Sequence, residues 1–169
     1  MTRENDRFPA IFPEVSGLFG ALPTVVKLSN TQTTTGASTT ATVVTGSSIM
    51  IPAHEFTPGA TYKIQLFGTK TGATGNLVVA LYMHATAVLS LTSGSSAAGD
   101  WRFEGYVSSV GPAMQNCFGI FTQTAVASVF DYAAATVSTV GDFNLRAVIT
   151  NGNTDTTTVE HVRIEYVNR

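Results

Sequence analysis

Three histidines are the side chains in this sequence best suited to hold a metal ion. They are His54, His84 and His161, and no two of them lie within five residues of each other. A zinc site would therefore need distant strands to bring the three imidazoles together, which stays an open alternative. We favour a surface position for His54, beside Glu55, and a bend between two apolar strands at His84. The one cysteine, Cys117, excludes an intrachain disulfide and a zinc site of several thiolates, and is typical of a small buried residue.

Paired carboxylates are the second arrangement that could support catalysis. Asp100 and Glu104 are four residues apart on a predicted strand, which separates them by about 13 Å, too far for a retaining glycosidase. Glu104 shares a strand face with Arg102, and Glu165 shares one with Arg163. We expect these two pairs to form exposed ion pairs of small energetic value.

The segment Gly68–Gly75, with the sequence GTKTGATG, is the nearest approach to a phosphate-binding loop. It places a lysine before a threonine but lacks the glycine spacing that lets backbone amides surround a phosphate. We interpret it as a hairpin loop. The sequence also contains no Gly-x-Ser-x-Gly nucleophile motif. We therefore predict that the protein is not an enzyme and that it uses no cofactor.

Composition excludes several further classes of function. The 169 residues are 44% hydrophobic and 12% charged, and the net charge is −2. A chain without a basic field has no means of holding a phosphate backbone, so we predict no nucleic-acid partner. The longest apolar run, Leu77–Leu91, is shorter than the roughly 18 residues of a membrane span, so we predict no membrane partner.

Two zones of the chain differ in composition. Residues 1–23 are rich in Phe and Pro, and the prolines forbid a long helix, so this segment is predicted to be an extended N-terminal arm. Residues 24–169 are dominated by Thr, Ser, Val, Ala and Gly and are predicted to form one β-sandwich domain. Apolar side chains on the arm would each cost about 1.5–3 kcal/mol if left in water, so they must dock onto something. The arm residues predicted to form this interface are Phe8, Ile11, Phe12, Leu18, Phe19 and Leu22.

Strands are predicted by the alternation of apolar and polar residues. Such alternation occurs in four segments: 62–66, 101–107, 143–147 and 162–166. Leu77–Met83 and Ala113–Thr122 are apolar at both odd and even positions, which predicts strands covered on both faces. Thr31–Thr39 is predicted to be a loop. Turn residues recur about every ten residues, as in an antiparallel sandwich.

The predicted strands and turns together indicate the fold class. The sequence predicts an all-β, antiparallel two-sheet sandwich of the jelly-roll type, with about eight strands and the extended arm. Its strands carry Thr, Ser and Asn outward in place of Lys and Glu, so its sheet edges lack a usual defence against pairing. We therefore expect the edges to be buried in an assembly.

Three segments resemble small β-sandwich virion proteins of tailed bacteriophages. They are Ile49–Ile64 (IMIPAHEFTPGATYKI), Asp100–Gly111 (DWRFEGYVSSVG) and the closing strand Thr156–Val167, and the likeness covers about residues 48–167. The capsid decoration, or cement, proteins are the members that the chain resembles most. The resemblance implies a jelly-roll body, a homotrimer, binding to the major capsid protein and a location on the outer surface of the capsid. It implies no functional residue.

Two hypotheses about function follow. The first is a virion structural protein that stabilises the capsid by adhesion, with the arm adding apolar contacts to the shell or to a neighbouring subunit. The second is a tail or fibre module that recognises host surface glycans, which predicts exposed aromatic residues grouped on one face. The candidates for that group are Tyr82, Tyr106 and Tyr132.

Overall fold

Nearly all of the regular structure is β-strand, as the alternation of apolar and polar residues predicts. The computed structural model describes residues 24–35, 39–93, 97–152 and 155–167, and these contain twelve strands and one short 3-10 helix, Ala53–Glu55. The strands are β1 (Thr24–Ser29), β2 (Thr33–Thr35), β3 (Thr42–Val43), β4 (Ile49–Ile51), β5 (Thr61–Thr71), β6 (Leu77–Met83), β7 (Thr86–Thr92), β8 (Gly99–Gly111), β9 (Met114–Gln123), β10 (Val126–Ala135), β11 (Phe143–Asn151) and β12 (Thr156–Val167). In this described part of the chain, no helix has the length and apolar character needed to cross a membrane.

The strands form two antiparallel sheets. Sheet A has the order β1-β12-β5-β8-β9-β10, and β2 also pairs with β12. Sheet B has the order β3-β11-β6-β7, and β4 also pairs with β11. The two inner faces pack together and enclose the apolar core.

The order in which the chain visits the two sheets is that of a jelly roll. From Thr24 onward, the chain forms β1 and β2 in sheet A, passes to sheet B (β3, β4) and returns to sheet A (β5). It then adds β6 and β7 to sheet B and enters sheet A again at β8. The last two strands, β11 and β12, fall in sheets B and A. The jelly roll has eight strand positions. β1 with β2 fills one, β3 with β4 fills another, and β5, β6, β7, β8, β11 and β12 fill one each, whereas β9 and β10 extend sheet A beyond these positions. The expected eight strands therefore become twelve because two positions are interrupted and two strands are added.

The predicted alternation is confirmed in the long strands. Tyr62, Ile64 and Leu66 of β5 are buried, as are Trp101 and Phe103 of β8. The polar residues between them lie on the other face of sheet A, which we call the outer face. Aromatic rings fill the ends of the core, where Trp101 stacks on Phe121 with ring centroids 5.9 Å apart.

Two predictions about the strands are wrong, and a third, at Gly68–Gly75, is corrected below. The predicted loop Thr31–Thr39 contains β2, because the threonines at 33–35 pair with Thr157–Val159 of β12. Ala113–Thr122 is not covered on both faces, since Met114 and Phe118 of β9 are exposed on the outer face. Leu77–Met83 agrees with its prediction, because each of its residues is buried or half-buried. The arm, residues 1–23, lies outside the described residues, and its interface stays a prediction.

Paired glycines let the two sheets approach each other. Gly105 of β8 lies opposite Gly119 of β9. A Cβ atom at Gly105 would lie 2.6 Å from Leu81 of sheet B, and one at Gly119 would lie 2.7 Å from Leu89 and from Leu91. The absence of side chains at these two positions makes room for the leucines in the core.

We expect a Gly105→Val substitution to lower the free energy of unfolding by roughly 1–3 kcal/mol, because it overpacks this contact. Urea unfolding followed by tryptophan fluorescence would measure the change. Gly111→Ala is the matched control, since nothing lies within 4 Å of a Cβ atom at that position. Equal stability of the Gly105→Val variant and the wild type would show that the contact is not tight.

Candidate binding surface

The histidines lie on separate elements. His54 is in the 3-10 helix, His84 is in the turn between β6 and β7 with a φ of 53°, and His161 is on β12, 2.9 Å from the amide oxygen of Asn30. Among residues 24–35, 39–93, 97–152 and 155–167, no three His, Cys, Asp or Glu residues come together as a group that could hold a metal ion. Cys117 is buried, and burial raises the pKa of its thiol to about 11.

The segment Gly68–Gly75 is not a hairpin loop, which corrects the sequence interpretation. Residues 68–71 belong to β5, and the chain then crosses from sheet A to β6 of sheet B. Gly72 makes the turn with a φ of 87°, a conformation that favours glycine.

The donors of this crossover loop surround a carboxylate of the chain itself. Lys70 Nζ lies 2.6 Å from Asp155 Oδ2, and the Thr74 hydroxyl donates to Oδ1 at 2.7 Å. The backbone amides of Thr74 and Gly75 donate to Oδ2 at 3.1 and 2.9 Å. Burial by itself would raise the pKa of Asp155, but the hydrogen bonds from Lys70, Thr74 and Gly75 outweigh it and hold this pKa well below its usual range. The loop therefore serves as an internal anchor between the two sheets.

We expect this carboxylate to make stability depend on pH. In the unfolded chain Asp155 titrates near pH 4, whereas its pKa in the folded chain is lower, so its contribution is complete above about pH 4 and declines as the pH falls further. The free energy of unfolding, measured in urea between pH 6 and pH 3, should fall for the wild type. An Asp155→Asn variant should lose less over the same interval, and equal losses in the two proteins would contradict this assignment.

One half of the outer face of sheet A is charged. Glu104 is at its centre and contacts Lys63 Nζ at 3.2 Å, the Tyr106 hydroxyl at 3.1 Å and Arg102. Lys63 Nζ also lies 4.0 Å from Glu165, which pairs with Arg163. The two predicted ion pairs are therefore present. Their carboxylates are not exposed as expected: Lys63 contacts both of them, Gln65 donates to Glu104, and only 14% of Glu104 and 9% of Glu165 is accessible.

The other half of the outer face is apolar and exposed. Tyr106 of β8 pairs with Phe118 of β9, which pairs with Tyr132 of β10, so three rings form a row across the strands. The ring centroids of Tyr106 and Phe118 are 6.1 Å apart. In the adjacent row Ile120 of β9 pairs with Phe130 of β10. We call these five residues the aromatic surface.

The aromatic surface is unusually accessible for its composition. Phe118 is 43% exposed, Phe130 64% and Tyr132 62%. Single exposed apolar residues are common on proteins, but neighbouring ones on one face of a sheet are typical of surfaces that contact another molecule. Burial of these rings by a bound molecule would stabilise the complex.

The aromatic surface ends at an open sheet edge. β10 is the last strand of sheet A, and no described residue pairs with its other side. Its ten residues, VASVFDYAAA, include one charged side chain, Asp131, and neither lysine nor proline. Natural edge strands are usually protected by such residues, so β10 is suited to contact with a neighbour.

The structure groups part of the predicted set of tyrosines. Tyr106 and Tyr132 share the aromatic surface, with Phe118 between them. Tyr82 lies on β6 of sheet B, where Arg146 contacts its ring at 5.7 Å. Sequence reasoning missed Phe118 and Phe130. The alternation of Phe130, Asp131 and Tyr132 in β10 was the signal that could have revealed an exposed aromatic face.

A shallow depression of about 340 Å³ lies beside the charged half of the outer face. Its lining residues are Phe67, Asp100, Trp101, Arg102, Thr122, Gln123 and Thr124. Asp100 supplies the one carboxylate among the described residues of this lining, which therefore contain no acid pair of the glycosidase type. Arg102 lies over the ring of Phe67 at 5.1 Å.

Comparisons with known proteins give no family. No protein-family model and no curated protein matches the chain. A lectin from Bauhinia forficata in complex with GalNAc aligns over 87% of this chain and 99% of its own, with 6% identity and a TM-score of 0.49. The CBM36-1 domain of a multidomain xylanase from the hindgut metagenome of Trinervitermes trinervoides aligns over 85% and 96%, with 12% identity and a TM-score of 0.37.

A viral structure is also similar. A chain of infectious bursal disease virus, Gx strain, aligns over 88% of this chain and 33% of its own, with 11% identity and a TM-score of 0.42. With identities of 12% or less and TM-scores below 0.5, these three likenesses say nothing about what this chain binds. The jelly-roll fold rests on the strand order.

Proposed function

We propose that this protein is a virion structural protein of a tailed phage that decorates the outer surface of the capsid and stabilises it by binding major capsid subunits. It works by adhesion and performs no chemistry. Copies assemble into a homotrimer, and many weak contacts on a regular lattice act together.

The observation that supports this proposal best is the aromatic surface at the open edge of sheet A. Phe118, Phe130 and Tyr132 are exposed there, and the edge strand beside them carries a single charge. Such a surface gains free energy only when another molecule covers it. The chain's weak net charge, −2, allows copies to approach one another without strong repulsion.

Cosedimentation with undecorated capsids tests the proposal. Purified full-length protein is mixed with capsids assembled from the major capsid protein of the same virus, and the pellet is analysed. We expect saturable binding at a fixed number of copies per capsid. Absence of the protein from the pellet at concentrations well above those found in an infected cell would overturn the proposal.

A second function is favoured by the row of Tyr106, Phe118 and Tyr132. Exposed aromatic rings on a sheet face can stack against sugar rings, and Glu104 and Asn116 beside them supply hydrogen-bonding groups. The protein would then be a tail or fibre module that recognises host surface glycans. Binding on a glycan array that is lost in a Tyr132→Ser variant, together with absence from the capsid pellet, would establish this alternative.

A further inference from the structure

We propose that the aromatic surface binds the N-terminal arm, residues 1–23, of a second copy of this chain. This inference rests on the proposed function and deepens it by naming the partner of that surface. It assigns a head-to-tail assembly, in which the arm of each copy covers β9 and β10 of the next.

The positions of the two edges of sheet A support this arrangement. The arm leads directly into β1, which is the first strand in the order of sheet A, and the aromatic surface is carried by β9 and β10 at the opposite end. The two features therefore lie on different edges of the same sheet. Contacts between two different surfaces continue from copy to copy until they close into a ring, and a ring of three agrees with the predicted homotrimer.

The length of the arm fits a neighbour whose β10 lies beside β1. Five strand spacings separate β1 from β10 within one copy, which is about 24 Å at the usual spacing between strands. Phe19 precedes β1 by five residues and reaches at most about 17 Å from it in an extended chain, and Leu22 reaches still less. Both residues fall short of β10 of their own copy, whereas a neighbour's β10 beside β1 is within their range. Phe8 and Phe12 precede β1 by 16 and 12 residues and can span either distance, so the choice of copy for them rests on the polarity of the outer face.

The polarity of the outer face favours a neighbouring copy. Within one copy, an arm that ran from β1 to β10 along this face would cross the charged half, past Arg163, Lys63 and Glu104. Burying these charges under apolar side chains would cost free energy. An arm that arrives from a neighbour meets the aromatic surface first, where apolar side chains face apolar side chains.

Mixing two variants of the full-length chain tests the inference without capsids. The arm variant is Phe8→Ser/Phe12→Ser/Phe19→Ser, and the surface variant is Phe130→Ser/Tyr132→Ser. Light scattering coupled to gel filtration should give about three times the 17.8 kDa chain mass for the wild type and one chain mass for each variant. An equimolar mixture should give two chain masses, because the intact arm of the surface variant binds the intact surface of the arm variant and the ring cannot grow further.

Met50→Ser/Val140→Ser is the control, because these residues are 64% and 76% exposed and lie outside both features. It should keep the wild-type mass. A mixture that contains only single chains, or a wild type of one chain mass, would overturn the inference. A wild-type protein that forms the trimer but does not bind capsids would instead contradict the proposed function. The failure of the inference and the failure of the proposed function are therefore distinguishable.

Discussion

Replacing Asp155 with alanine is expected to lower the free energy of unfolding by about 3–5 kcal/mol, the cost of removing one partner of a buried ion pair. The side chains of Lys70 and Asp155 are 0% and 3% exposed. The substitution leaves a buried ammonium group without its carboxylate. It also removes the acceptor for the backbone amides of Thr74 and Gly75, which hold the crossover between the two sheets.

A double-mutant cycle measures this pair directly. The Lys70→Met, Asp155→Ala and double variants are unfolded in urea, and Asp131→Ala, at an exposed aspartate, is the control that should change stability by less than about 0.5 kcal/mol. The double variant should lose clearly less than the sum of the two single losses, because it leaves no unpaired buried charge. Additive losses, or a wild-type stability for Asp155→Ala, would contradict the assignment of Asp155 as an anchor.

Serine at Phe130 and Tyr132 is expected to weaken capsid binding by about 10²–10⁴-fold, the range in which multivalent contacts strengthen binding. Both side chains are more than 60% exposed, so their loss removes apolar area from the aromatic surface and none from the core. The expected effect is on assembly, and thermal unfolding of the isolated chain should change little.

The control for this experiment is Met50→Ser/Val140→Ser, which removes equally exposed apolar groups from other parts of the molecule. Its binding curve on undecorated capsids should overlay that of the wild type. If both double variants bind like the wild type, the aromatic surface has no part in adhesion. If both lose binding equally, general surface hydrophobicity and not this surface accounts for it.

The long strands could be predicted because their side chains alternate between core and solvent. Tyr62, Ile64 and Leu66 show the pattern, and so do Trp101 and Phe103. The same rule failed for β9, where apolar residues stand at odd and even positions alike. Its inner residues face sheet B, but its outer residues, among them Phe118, are exposed, since nothing in the described chain covers that face. An apolar residue in a strand favours burial, but the residue type does not show whether the residue is buried in the core of its own chain or by another molecule.

The anchor at Asp155 could not be predicted from spacing. Lys70 and Asp155 are 85 residues apart and meet only because β5 and β12 are neighbours in sheet A. A loop that looked like a weak phosphate-binding motif does surround an anion, but the anion is a side chain of this protein. Short strands such as β2 were missed because a run of threonines resembles a loop until its partner strand is known.

The extension of the jelly roll connects the fold to the proposed function. β9 and β10 lengthen sheet A and both lie against β7, the edge strand of sheet B, but β10 still has exposed residues on both faces. The inner side chains Val129, Ala133 and Ala135 pack against the core only in part. A strand in this position contributes less to the core than the central strands do, and its rings and its edge stay accessible.

Side-chain footprinting of Phe118, Phe130 and Tyr132 with hydroxyl radicals tests the central claim most directly. The full-length protein is labelled once after dilution to the single chain, as checked by light scattering, and once bound to capsids, and the two extents of oxidation are compared by mass spectrometry. We predict that oxidation of these three rings falls several-fold in the bound state, because a neighbouring molecule covers the aromatic surface. Equal oxidation of the three rings in the free and bound states would contradict the claim that the protein adheres through this surface.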